Sequence, residues 1–448
     1  MEQSVINKQV VVAGGRFAPG HLGELTRIVP FEMVDAALES GRAVQTRLRE
    51  LPSRVVVYLL LAGCLFPDVG YRGVWAKLCS GLVGLPVAAP GSSALAQARR
   101  RVGVAPLREL FGLLAGPGDG AERWRGLLVC AIDGTSMFVA DTDANLGVYH
   151  RQSGGNGDSG YPMLRLLTVV ACGARTVIDA VFGTYGIGEL AYASTLFGCL
   201  REGMLLLADR NFGYAEPVSA IAATKADLLI RCRNNLALPA IGPLPDGSWL
   251  TPMGSVVVRV IDAEITVTPK GGPRRIERYR LVTTLSDHRR FPATELVQLY
   301  HQRWQIETSY LELKSTILGG RVLRARTPAG ITQEVYALLC TYQALRIAIA
   351  DATATDPHAT PLRASFTIAL NTARDQLVHA AAVITDGAID LVGDIGRAIL
   401  DDLLPTRRPR QSPRVVKRAI SKHRAKGTID RTNYPRIDIT INQRKPPT

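Results

Sequence analysis

Two short apolar runs, each ending on an aspartate, constrain this 448-residue chain more than any other feature. Gly126–Asp133 reads GLLVCAID and Met204–Asp209 reads MLLLAD. Short continuous apolar runs of this kind suit strands covered on both faces. Strands of one sheet can hold two such carboxylates side by side. A strand-terminal aspartate can equally do no more than cap the turn or helix that follows. Asp141, Asp143 and Asp179 lie close enough in sequence to replace Asp133.

A third acid lies in the run LYHQRWQIETSYLELKSTI. At about 100° per residue, Tyr300, Arg303, Glu307 and Lys314 fall at roughly 0°, 300°, 340° and 320° on a helical wheel. They share one stripe. Ile306, Tyr310, Leu313 and Ile317 form the adjacent apolar face, at roughly 220° to 280°. Glu312, the rival to Glu307, projects at roughly 120°, away from the stripe and the core. An i,i+4 ion pair on a solvated face would explain Arg303 and Glu307 but not Tyr300 and Lys314 in the same line.

Asp133, Asp209 and Glu307 are therefore the candidate triad. Three carboxylates converging in a cleft repel one another unless a divalent cation neutralises them. Hard oxygen donors suit Mg²⁺ or Mn²⁺, and two such ions roughly 4 Å apart can activate a nucleophile and stabilise the leaving oxygen of a phosphodiester.

The rest of the chain sorts by pattern. Residues 1–28 read as a lead-in and 29–120 as a helical domain. Its helices are expected at 31–51, 52–66 and 69–82, with a further helix capped by Ser92 or Ser93 whose Arg99, Arg100 and Arg101 either enter a DNA groove or form a solvated face. Residues 121–233 read as the first part of an α/β core. Residues 234–290, rich in Val, Ile, Thr and Tyr between Pro/Gly turns, read as a β-rich insertion. Residues 291–400 complete the core, and 401–448 form a basic, flexible tail. From Pro405 to Thr448 there are 13 Lys and Arg against 2 Asp, so most of the net charge of +14 is in the tail. Such a charge favours a polyanionic partner. The seven cysteines form no C-x-x-C pair, which argues against zinc and against a disulfide framework. No apolar secretory core opens the chain, and the run Val55–Phe66 is too short to span a bilayer. The expectation is a cytoplasmic, nucleoid-associated protein with no membrane partner.

The spacing Y-x2-R-x3-E-x6-K at Tyr300, Arg303, Glu307 and Lys314 resembles the signature of the insertion-element-four family of DDE transposases. AIDGTSM around Asp133 and ADRNFGY around Asp209 resemble its two aspartate blocks. FEMVDAAL, GCLFPDVGYRGVWAKL and SSALAQARRRVG resemble the N-terminal domain of one subgroup. The likeness covers roughly residues 25 to 375. It implies an α/β fold with a ribonuclease H-like catalytic core, a β-rich insertion and a helical N-terminal domain. It also implies metal binding by Asp133, Asp209 and Glu307, and phosphate binding by Tyr300, Arg303 and Lys314. The implied partners are double-stranded DNA, as terminal inverted repeats and as target, and a second copy of the chain on that DNA. Family members commonly cut through a DNA hairpin with one base flipped onto an aromatic ring. Trp249 in the insertion is a candidate for that ring, although an insertion tryptophan more often belongs to the core. Trp304 is expected to pack inside. The implied reaction is cut-and-paste transposition. The alternatives are a non-catalytic DNA-binding protein and a nuclease that transfers no strand.

Overall fold

The computed structural model describes residues 10–11, 17–47, 49–82, 86–154, 157–268, 275–379, 392–405 and 436–440. The helical part begins with α1 (Phe31–Ser40), α2 (Ser53–Leu65), α3 (Tyr71–Cys79), α4 (Ser92–Val102) and α5 (Ala105–Leu114). The α/β part contains strands β1 (Leu127–Phe138), β2 (Met163–Ala171) and β3 (Val177–Thr184), helix α6 (Glu189–Leu196), strand β4 (Met204–Ala208), helix α7 (Ala215–Ala223) and strand β5 (Asp227–Cys232). Strands β6 (Trp249–Met253), β7 (Val256–Thr268) and β8 (Arg275–Thr283) follow. Then come helices α8 (Ala293–Tyr300), α9 (Trp304–Leu311), α10 (Pro328–Ala354), α11 (Phe366–Val378) and α12 (Gly393–Asp401), and strand β9 (Arg436–Thr440).

These elements fall into two compact units. The first takes residues 1–123, 133–196 and 305–405, and the second takes 124–132, 197–304 and 406–448. Strand β1 gives its first half to the second unit and its second half to the first.

In the first unit the helices wrap α10. Helix α2 is apolar nearly all round and buried along its length, as a helix enclosed by others must be. Helix α10 starts on Thr327, whose side chain accepts from the Gly330 N–H, and it has Pro328 at its first position. It packs against α2, α5, α11 and α12. Helix α1 ends at Ser40, well short of the expected Leu51. Gly41 fits directly against Pro106 of α5, where a Cβ would lie 2.8 Å from the proline ring, and Arg42 then turns the chain with φ 52°. Gly91, not Ser92 or Ser93, stands at the N-cap of α4. Strands β2 and β3 pair antiparallel, with Leu164 opposite Thr184, and β1 neighbours β2.

In the second unit β1, β4 and β5 run parallel. Strand β8 pairs antiparallel with β5, β7 with β8, and both β6 and β9 with β7. The parallel strands are apolar runs buried on both faces, as the pattern of Met204–Ala208 requires. Three strands linked in sequence as neighbours, followed by two parallel to the first, make the ribonuclease H-like order. Residues between β5 and α8 form the antiparallel strands β6, β7 and β8. Of residues 401–448, read as a flexible tail, Asp401 ends helix α12 and Arg436–Thr440 is paired with β7. Residues 406–435 and 441–448, which carry most of the tail's charge, lie outside the described residues.

Candidate active site

Asp209 follows β4 directly. Its Oδ1 accepts from the Asn211 N–H at 2.8 Å, which holds the carboxylate in the turn after the strand. The main chain beside it is tied down by Tyr300, whose hydroxyl donates to the Ala208 carbonyl at 3.1 Å. Tyr300 is 6% exposed, and its ring meets Tyr279 edge-on. Burial pushes its hydroxyl above the usual tyrosine range, an effect opposed by the nearby Arg303 and Arg231 cations. Tyr300 therefore has a buried supporting role at the end of β4, and a phosphate could reach its oxygen only with rearrangement. Arg303 is half-buried, at the end of the 3₁₀ turn His301–Arg303.

Asp133 stands inside β1 rather than at its end. The strand continues through Gly134, Thr135 and Ser136 to Phe138, although its buried apolar half stops at Ile132. Asp133 Oδ1 accepts from the Gly134 N–H at 2.9 Å. Its carbonyl accepts from the Tyr310 hydroxyl at 2.5 Å. Thr168 of β2 holds that hydroxyl in turn, with its N–H at 3.2 Å and its Oγ1 at 3.0 Å. Glu189, in the first turn of α6, presses on the same stretch: a Cβ on Gly134 would lie 2.5 Å from Glu189 Oε1. Tyr310, Thr168 and Glu189 were not singled out as site residues from the sequence. The available signal was a tyrosine on the apolar face of the Glu307 helix, whose hydroxyl needs a buried partner.

Glu307 is half-buried on α9, between the buried residues Ile306, Ser309 and Tyr310. Lys314 reaches Thr135 Oγ1 at 3.2 Å, and burial pulls its ammonium below the usual lysine range. The four signature residues do not share one regular α-helix. Helix α8 passes through the 3₁₀ turn at His301–Arg303 into α9, and Glu312–Ile317 is π-helical. A 3₁₀ turn holds three residues and a π turn more than an α turn, so a uniform wheel misplaces residues beyond each change.

Glu312 shows the error plainly. The wheel sets it away from the core, but it is 5% exposed and bonds to Arg175 at 2.5 Å and to the Tyr342 hydroxyl at 3.2 Å. With Arg346 3.9 Å away, it is part of a buried ionic cluster and cannot act as the metal-facing acid. Asp141 is engaged by Arg151 at 2.6 Å. Asp179 Oδ1 accepts from its neighbour Ala180, and burial raises its carboxyl above the usual range.

Trp249 is 1% exposed, with its indole N–H on the Leu238 carbonyl at 3.2 Å. A base cannot stack on this ring without unpacking β6, so Trp249 is a core residue and not the base-stacking ring. Trp304, the alternative that packs against the core, is half-buried. Arg99 lies over the Tyr71 ring at 3.9 Å, whereas Arg100 and Arg101 are exposed. Of the three arginines on α4, the last two face solvent.

The carboxylates fit divalent cations in chemistry. Asp133, Asp209 and Glu307 are hard oxygen donors, all half-buried rather than sealed in the core. Among the described residues, no three His, Cys, Asp or Glu side chains are gathered into one ready-made cage. Asp133 and Glu307 belong to the first unit and Asp209 to the second. Among the described residues no helix is long and apolar enough to cross a membrane.

Comparison with known proteins gives the family. The description "Transposase DDE domain" matches residues 124–344, and "Insertion element 4 transposase N-terminal" matches residues 19–112. The chain is a DDE transposase, an enzyme dependent on divalent metal whose substrate is DNA. It belongs to the insertion element 4 family. It is similar to transposase InsG for insertion sequence element IS4 of Escherichia coli K12, with 26% identity over 86% of this chain and 90% of the relative. Putative transposase InsZ of the same organism is 26% identical over 56% of this chain and 79% of its own length. A piggyBac transposase synaptic complex with hairpin DNA aligns with a TM-score of 0.41 at 12% identity, covering 85% of this chain and 84% of that one.

Proposed function

We propose that this transposase excises its element by hydrolysis at the terminal inverted repeats and joins the freed 3′ hydroxyl ends to target DNA. One register supports the placement of the acids: β1 and β4 run parallel with Ala131 opposite Leu207, and each of these residues stands two before its aspartate. In this reading Asp133, Asp209 and Glu307 hold two Mg²⁺ or Mn²⁺ ions. When bound, the ions supply charge neutralisation at the attacking and leaving oxygens.

The protein's own groups orient the substrate. The Arg303 guanidinium offers a planar pair of N–H donors to one phosphate, and Lys314 offers a compact positive charge to another. Thr135 keeps the Lys314 ammonium in place until a phosphate competes for it. Arg100 and Arg101 on α4 contact the end DNA. Two ends must be held together for joining, so the working unit on DNA is a homodimer. The setting is the cytoplasm, at the nucleoid.

The test is a supercoiled plasmid carrying two inverted ends, incubated with the protein in Mg²⁺ or in chelator. Nicked and joined products that require Mg²⁺ are expected. Binding without any metal-dependent product would reduce the chain to a DNA-binding protein, and nicks without joining would reduce it to a nuclease.

A further inference from the structure

We propose that Tyr310, itself fixed by Thr168, is the positioning residue that sets Asp133 for metal binding. This rests on the reading of Asp133 as a catalytic carboxylate. Tyr310 belongs to α9, three residues after Glu307, and its hydroxyl ends on the main-chain oxygen of Asp133 at 2.5 Å. The hydroxyl also meets Thr168 N and Oγ1 on the neighbouring strand. One side chain on the Glu307 helix thus carries bonds to both strands at the level of Asp133.

The contact is suited to orientation rather than chemistry. Tyr310 is 6% exposed, and its hydroxyl donates to a main-chain oxygen rather than facing the open site. Asp133 lacks the support of a strand end, because β1 runs on for five more residues. Its side chain is steered by rotation of the peptide planes around it. The Asp133 carbonyl and the Gly134 N–H belong to one peptide unit: Tyr310 holds its oxygen, and its N–H holds Oδ1. Glu189 packs where a Gly134 side chain would be. Groups that orient a metal ligand typically cost about 10- to 100-fold in metal affinity or activity when removed.

The experiment compares Tyr310→Phe with Tyr342→Phe, using the full chain. Tyr342 is an equally buried tyrosine whose hydroxyl donates to the Arg175 carbonyl, in the Glu312 cluster. Two quantities are read: Mn²⁺ affinity by electron paramagnetic resonance titration, and the Mg²⁺ concentration giving half-maximal end cleavage. Tyr310→Phe is expected to weaken Mn²⁺ binding and raise the Mg²⁺ requirement by about 10-fold or more, with end binding retained. Tyr342→Phe is expected to lower Tm without moving either metal quantity. Unchanged metal dependence in Tyr310→Phe would overturn the proposal, as would an equal shift in both variants. If Tyr310→Phe fails to fold, Thr168→Val carries the same test, with a smaller shift expected and no shift overturning the proposal. Asp133→Asn separates the two levels of inference. An active Asp133→Asn removes the catalytic reading itself, whereas an inactive one beside a wild-type Tyr310→Phe removes the positioning role alone.

Discussion

The Tyr300 hydroxyl donates to the carbonyl of Ala208, the residue that ends β4 immediately before Asp209. The first residue of the family signature is thus a buried prop for the strand that carries an aspartate. Tyr300→Phe should destabilise the fold by about 1–2 kcal/mol, the cost of leaving a buried carbonyl without its donor. End affinity should stay within a factor of two or so of wild type. A gel-shift titration alongside urea unfolding measures both, and loss of end affinity at unchanged stability would restore a direct phosphate role.

The buried Glu312–Arg175 pair makes an opposite prediction for the two glutamates of this region. Glu312→Ala strands the Arg175 guanidinium in the core and should cost about 3–5 kcal/mol, seen as a large fall in Tm and in soluble yield. Glu307→Gln, half-buried, should leave Tm within a few degrees. A similar Tm for the two variants would contradict the division between a structural and a functional acid.

Much of this division was hidden from the sequence for physical reasons. Asp209 was legible because MLLLAD is an apolar strand with an abrupt polar end. The course of β1 was not, since its second half is polar and half-exposed and gives no burial signal after Ile132. Glu312 was misplaced because a single helical period was applied across 3₁₀ and π segments. Arg99 looked equivalent to Arg100 and Arg101 in the string, but only tertiary packing brings Tyr71 under its guanidinium.

In the proposed phosphate-binding role, Lys314 trades stability for function. Burial lowers its pKa, so charging it costs folding free energy at neutral pH, and that cost is relieved as pH rises from the lowered pKa toward the unfolded value. Lys314→Met should therefore raise Tm near pH 7 and weaken end processing. Thermal melts and a nicking assay on the same preparation check this, and a variant with lower Tm would contradict it.

Stability should fall in acid through His21. Burial lowers its pKa from 6.5 to about 4, so below pH 6.5 the unfolded chain binds a proton that the folded chain refuses. The loss accumulates as pH drops from about 6.5 to about 4 and reaches about 3 kcal/mol, at ~1.4 kcal/mol per unit. His21→Asn should flatten this part of the pH profile in urea unfolding. A profile equally steep with and without the imidazole would place the acid sensitivity elsewhere.

On α4, Arg100→Ala should reduce the slope of log affinity against log salt by about 1, as expected for one lost phosphate contact. Arg99→Ala should lower Tm through the lost stacking on Tyr71, without changing that slope. Salt titrations of end binding with both variants give the answer, and identical behaviour would contradict the assignment.

The most direct measurement is cleavage of end DNA in Mg²⁺ by Asp133→Asn, Asp209→Asn and Glu307→Gln, with end binding followed in parallel. All three variants should bind ends nearly as wild type does and produce no nick. Wild-type cutting by any one of them would contradict the account.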